Sequence, residues 1–198
     1  MNLFHEIIRA IRLTLILWVV VAVVYPGVIL ITGQVVFPYQ ANGSLIKNSQ
    51  GQVIGSSLIG QPFTSDRYFH SRPSTINYSS INPQGDQAGI LKTGISGASN
   101  LAPSNSALRD RIKLAVERLQ AAGIEPTADL VYTSGSGLDP HISIKSARSQ
   151  IARVAQTRQL PVAQLTSLVQ AHTDERFLGI FGEPGVNVLR LNLALDRI

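Results

Sequence analysis

The 198-residue sequence contains no cysteine, so whatever holds the fold together does so without disulfides. Cysteine-free chains occur on both sides of a membrane, and this absence assigns no compartment. Charged residues are scarce at 15% and aromatics at 6%, while mean hydropathy lies slightly above zero. A soluble portion and one concentrated apolar segment would produce that balance.

Between Arg12 and Lys47 there is no charged residue at all. The run "RLTLILWVVVAVVYPGVILITG", Arg12 to Gly33, is long enough to span a bilayer. Its Leu, Ile and Val residues, about thirteen, give on the order of −4 to −8 kcal/mol for insertion. Pro26 cannot donate to the carbonyl four residues back, so a bend is expected near Pro26 and Gly27. A cleaved signal would have a shorter apolar region closely followed by a small-x-small site, and Ala41-Asn42-Gly43 lies too far along. Arg9, Arg12 and the amino terminus crowd one flank, which orients that flank to the cytoplasm. The expected organisation is a cytoplasmic N-terminus over 1–12, a transmembrane helix over 13–33, and an extracytoplasmic α+β domain over 34–198.

The formal charge of +5 raises nucleic acid as a partner. The basic residues are scattered, however: Arg148, Arg153 and Arg158 are five apart, which rotates them around a helix. A solvated mixed surface is expected and no nucleic-acid partner; the bilayer itself is the partner that the apolar run requires.

Past the span, Ser44–Ile46 and Val53–Ile59 read as an antiparallel hairpin around a polar turn ending at Gly51. Residues 64–106 are rich in Ser, Asn, Gly and Pro, the composition of long loops. "SALRDRIKLAVERLQAAG" predicts a helix with Ser106 as N-cap, Gly123 as stop and a face of Leu108, Ile112, Ala115, Val116 and Leu119. Ala128–Ser134 reads as a strand. A helix is expected over Ile144–Arg158, capped by Ser143, with Ala147, Ile151, Val154 and Ala155 on one face. A third helix starts near Pro161, and Val186–Asn192 reads as a strand. Hairpin first and helix-strand units later indicate one mixed α+β domain.

The stretch "TSGSGLDPHIS", Thr133–Ser143, concentrates hydroxyls, glycines, a carboxylate and an imidazole. A serine hydrolase would need Ser134 or Ser136 beside a His base held by a carboxylate. His141 and Asp139 are present but share one tight turn with the nucleophile, and Ser134-Gly135-Ser136-Gly137 is not a G-x-S-x-G elbow. His5, His70, His141 and His172 form no metal-binding pattern, and no phosphate-loop signature occurs. The architectural reading is stronger: glycines permit positive φ, Asp139-Pro140 makes a rigid turn, His141 is a turn residue tied to backbone, and Ser143 caps a helix. Leu91–Ser96, "LKTGIS", resembles the phosphorylation sequence of P-type ATPases, but Leu91 stands where the acceptor aspartate belongs.

"GSLI", "IGSSLIGQPF", "YFHSRPS", "SGASNLAPSN", "SGSGLDPHIS" and "GEPGVNVLRLNLALD", in this order after one N-terminal span, closely resemble the C subunit of the Kdp-type potassium-transporting ATPase. Ala98 and Ala102 depart from the glycines usual in the family, and Ile144 from a proline. The resemblance implies an accessory, non-catalytic subunit of an ATP-driven potassium-uptake complex. Its partners would be a channel-like potassium-binding subunit, an ATP-hydrolysing P-type subunit and a small membrane subunit. ATP and potassium would be handled by those partners, with no cofactor in this chain. Assembly and a chaperone-like increase in the pump's ATP affinity are the implied roles. Because an outer domain faces away from ATP, an allosteric or structural role is preferred to direct nucleotide contact. The other classes are an anchored extracytoplasmic serine hydrolase and an anchored solute-binding module. As an architectural motif, Ser134, Gly135, Ser136, Gly137, Leu138, Asp139, Pro140, His141 and Ser143 present a rigid frame for docking, which Leu138, Asp139 and His141 hold by direct contact or by bracing from behind.

Overall fold

In a computed structural model, residues 3–80 and 94–198 are described, and they divide into two compact units. The first unit ends at Leu45 and is dominated by one continuous helical run, Leu3–Val36, without a buried residue. It is α-helical over α1 (Leu3–Val19) and α2 (Tyr25–Val36), with a π-helical turn at Val20–Val24 between them. That turn lies directly before Pro26. A proline would drive its ring into the carbonyl four residues back, and the wider turn, with Tyr25 N–H donating to Val20 O, accommodates it. The helix extends past the apolar run at both ends, and a short helix α3 (Pro38–Ala41) follows.

The second unit, Ile46–Ile198, is mixed α and β. Strands β1 (Leu45–Lys47) and β2 (Val53–Ser56) pair as expected, β1 one residue later than expected and β2 ending before Ile59, with the turn closed by Asn48 N–H donating to Gln52 O at 2.9 Å. Helix α4 (Ser106–Ala121) starts at the residue expected to cap it, and the true cap lies one residue earlier. Asn105, in extended geometry, accepts from Ala107 N–H at 2.9 Å, so Ser106 is already helical. Gly123, at φ +67°, ends the helix as expected. The apolar face of α4 is only half-buried.

Two expected strands are helices. Ala128–Ser134 forms a short helix α5 (Ala128–Val131), because the buried pair is the adjacent Leu130 and Val131, which alternation cannot place on one face. After the two-residue strand β3 (His141–Ile142), the expected helix over Ile144–Arg158 is divided at Gln150 into α6 (Ile144–Ser149) and α7 (Ile151–Arg158). Gln150 N–H donates to Ala147 O, a tightened turn that lets its amide side chain enter the interior. Helix α8 (Val162–Ala171) follows Pro161, and strands β4 (Thr173–Asp174) and β5 (Gly185–Asn187) complete an antiparallel sheet in the order β3-β5-β4. Of the second expected strand, Val186–Asn192, only the start is extended. Asn187 accepts from Arg190 N–H at 3.1 Å and starts α9 (Val188–Leu195), whose buried Val188, Leu191, Asn192 and Leu195 follow the helical period.

The core joins α6, α7, α8, α9 and the sheet through Ala147, Ile151, Val154, Leu165, Val186 and Leu191, with Phe69 sealed among them. Two of the arginines expected on a solvated surface also face inward. Arg153 donates to the carbonyls of Asp66 at 2.6 Å and Tyr68 at 2.8 Å. Arg158 lies over the Tyr68 ring and bonds Arg67 O and Asp196. Burial lowers the pKa of Arg153 and the neighbouring Asp66 carboxylate opposes that shift. These guanidiniums fasten the irregular 66–69 segment, which has no ladder of its own to satisfy its carbonyls.

Candidate functional site

Thr133–Ser143 is a loop whose polar groups are turned on one another. Ser134 is fully buried: its Oγ accepts from Gly137 N–H at 2.8 Å and its amide donates to Pro73 O at 2.9 Å. Ser136 Oγ donates to Asp139 Oδ1 at 3.1 Å and accepts from Leu138 N–H at 3.1 Å. Asp139 Oδ2 meets Arg72 Nη1 at 3.2 Å. Gly137 sits at φ +73°, where a Cβ would lie 2.5 Å from Ile76 and 2.7 Å from the Gly97 carbonyl. Gly135 is exposed, with open space at its Cα.

Segments far apart in the sequence converge on this loop. Gly60 N–H donates to Leu138 O, Ser74 Oγ to Gly137 O, Gly97 N–H to Ser136 O, and Val188 N–H to Pro140 O, over 2.7–3.0 Å. A Cβ on Gly60 would lie 2.5 Å from the Asp139 carbonyl oxygen. Residues 77–79 form a left-handed turn that carries the buried Tyr78, whose hydroxyl donates to Arg72 O. Burial pushes the Tyr78 pKa up to about 12, so the ring remains a neutral donor.

At the end of the loop, Ser143 caps α6 as expected, accepting from Ser146 N–H at 3.2 Å. Asp129, from the helix that replaced the expected strand, accepts from Ser143 N–H at 2.7 Å and Ser146 Oγ at 2.9 Å. Burial alone would raise its pKa; the hydrogen bonds from Ser143 and Ser146 outweigh that and lower it.

His141 differs from expectation. Its ring is not tied to backbone: Nε2 lies 2.8 Å from Asp174 Oδ2, and Arg190 reaches the other Asp174 oxygen at 3.4 Å. Strand β3 pairs with β5, and β5 with β4, which brings Asp174 across the sheet. Chemically, Ser136 has no imidazole partner, and the imidazole is committed to a different carboxylate. The other histidines are dispersed: His172 Nδ1 meets its own helix at Leu168 O, and His70 Nε2 meets Ser65 O. Of "LKTGIS", Leu91, Lys92 and Thr93 lie outside the described residues.

A cleft of about 770 Å³ escaped sequence reasoning because four separated segments build it. Phe63, His70, Leu114, Val131 and the arginines Arg111 and Arg118 line it. Burial, and then Arg153, lower the pKa of His70. The apolar face expected on α4, of which Ala115 and Leu119 line the cleft, was the available signal.

The model of the family described as K+-transporting ATPase, c chain (KdpC), matches residues 7–197. A potassium-transporting ATPase KdpC subunit 1 of Nostoc sp. is 63% identical over 199 residues, covering 100% of this chain and 98% of the relative. The KdpC subunit of Microcystis aeruginosa is 61% identical over 100% of this chain and 98% of its own. That of Synechocystis sp. is 57% identical over 98% and 100%. The match runs through the apolar helix and through every segment that converges on the Thr133–Ser143 loop, and the chain belongs to the KdpC family, the c chain of the K+-transporting ATPase.

Proposed function

We propose that this chain is the accessory subunit of a high-affinity, ATP-driven potassium-uptake complex, anchored by its N-terminal helix with residues 34–198 on the extracytoplasmic side. It supports assembly and does not itself turn over substrate. The observation that carries this reading is the internal consumption of the one reactive-looking stretch: Ser136 is spent on Asp139 and the loop backbone, and His141 on Asp174. A loop braced in this way serves shape.

The partners are a channel-like potassium-binding subunit, the ATP-hydrolysing P-type subunit and a small membrane subunit. They handle potassium and ATP, and this chain carries no cofactor. It raises the pump's affinity for ATP, in a chaperone-like role, by binding one conformation of the complex more tightly than another, which needs no nucleotide contact. The net +5 charge supports no nucleic-acid role, since its basic residues are scattered along the chain and two of them, Arg153 and Arg158, are engaged with backbone carbonyls.

One observation favours an anchored solute-binding module as the second reading, the 770 Å³ cleft. The deciding experiment is to purify the membrane complex from cells with and without this chain. Potassium-stimulated ATPase that contains the chain, and that loses assembly or ATP affinity without it, is expected. An isolated chain that hydrolyses an ester or peptide, or binds a solute with the ATPase unaffected by its deletion, overturns the proposal.

A further inference from the structure

Residues 175–184 connect β4 to β5 and carry a concentration of exposed apolar side chains that occurs nowhere else in the described part of Ile46–Ile198. Phe177, Leu178, Ile180 and Phe181 are 71%, 73%, 72% and 61% exposed. Other exposed large apolar residues of this unit stand singly or, at Leu58 and Ile59, as a pair. Folding leaves such a patch in water only where something else covers it.

The turn is built to hold these side chains outward. Leu178 adopts φ +54°, a left-handed conformation that a residue with a Cβ adopts only at a steric cost, and Gly179 follows at φ +73°. Phe177 and Phe181 exchange both backbone hydrogen bonds at 2.9 Å, Ile180 N–H donates to Phe177 O, and Gly179 N–H to Arg176 O. The tip can therefore leave water with these donors already satisfied. Its base is fixed by Arg176–Glu183 at 2.9 Å and by Asp174, held between His141 and Arg190.

We propose that this connection is a docking wedge that enters an apolar pocket with a basic rim on another protein subunit, an inference that rests on the accessory-subunit reading. The collar decides between protein and lipid. Within residues 174–183 themselves Asp174, Glu175 and Glu183 outnumber Arg176; His141 and Arg190 bond Asp174, Arg148 lines a small cavity with Glu175, and Glu175 has no ion pair among the described residues. Anionic headgroups repel such a collar, whereas a basic pocket rim complements it. An apolar centre of two aromatic and two aliphatic anchors inside a charged rim is protein-interface chemistry. Because the chain is tethered, a small anchor suffices: the pocket meets the wedge at high effective concentration. The Thr133–Ser143 loop then contributes by bracing, since its His141 clamps the wedge through Asp174.

The test places a photo-crosslinking benzoylphenylalanine at Leu178 of the full chain within the assembled complex, with the same group at the exposed Val162 as control. A crosslink from Leu178, and not Val162, to another subunit is expected. Crosslinks to lipid only, to a second copy of this chain only, or to nothing overturn the wedge. Phe177→Ser combined with Phe181→Ser should lower the Leu178 crosslink about tenfold, one step of about 1.4 kcal/mol, while the far-UV spectrum and the urea midpoint of the purified chain stay unchanged. An undiminished crosslink in that variant also overturns it. If the native chain fails to co-purify with a potassium-stimulated ATPase, the subunit reading itself has failed, a result distinct from failure of the wedge.

Discussion

The Asn192 side chain grips the backbone of Phe69 at both ends: its Oδ1 accepts from Phe69 N–H and its Nδ2 donates to Phe69 O, each at 2.9 Å, across 123 residues of sequence. Both residues are buried, so no water replaces these bonds. Asn192→Ala orphans two backbone groups at about 1–3 kcal/mol each, so a loss of about 2–6 kcal/mol is expected. Urea unfolding of the full chain in detergent reads it; an unchanged midpoint would contradict the clamp.

Ser136 and Asp139 should separate chemistry from architecture. Ser136→Ala is expected to leave ATPase turnover of the purified complex unchanged, because its hydroxyl bridges Ser134, Leu138 and Asp139 within the loop. Asp139→Ala removes the Arg72 contact and the Ser136 bond from a half-exposed site, so about 1 kcal/mol and a drop in Tm of about 2–4 °C are expected. Thermal melting and turnover, measured together, check both; loss of turnover in Ser136→Ala without loss of stability would point to a nucleophile.

Stability should fall on acidification in two steps. The folded-state pKa of His70 is lowered by burial and by Arg153, so the unfolded chain binds more protons below about pH 6.5 and stability is lost as pH drops from there toward the folded value. Asp129 is also lowered, its stabilisation complete above its ordinary value of 3.8 and lost as pH falls through the folded one. Melting curves of the full chain from pH 8 to pH 3 are the measurement. His70→Gln should flatten the upper step and Asp129→Asn the lower, and unchanged slopes would contradict the assignments.

The orientation is testable in intact cells. A cysteine at Ser49 is expected to react with an impermeant thiol reagent and one at Asn2 is not, since the native chain contributes no thiol background. The reverse pattern would place the domain on the other side.

What was legible in the sequence is what depends on near neighbours. The apolar run needed only its own composition to be a long helix, and Ser143 and Gly123 bound α6 and α4 through hydrogen bonds and torsions within a few residues. Even the one-residue error at Asn105 stayed local. The family was readable for a related reason: the motif strings that carry the resemblance are continuous in the chain.

Tertiary structure decided what those strings do together. Leu130 and Val131 became helical as an adjacent pair that is buried together, and "VNVLRLN" turned from strand to helix because Val188, Leu191 and Leu195 face one interior. Arg153 and Arg158 found carbonyls 85 to 91 positions away, and His141 a carboxylate 33 away, distances over which periodicity carries no information. The exposure of Phe177–Phe181 was equally hidden, since an apolar "FLGIF" does not show by itself whether the folded chain covers it. A local pattern fixes which conformations a segment prefers; burial depends on which surfaces the rest of the chain brings to it.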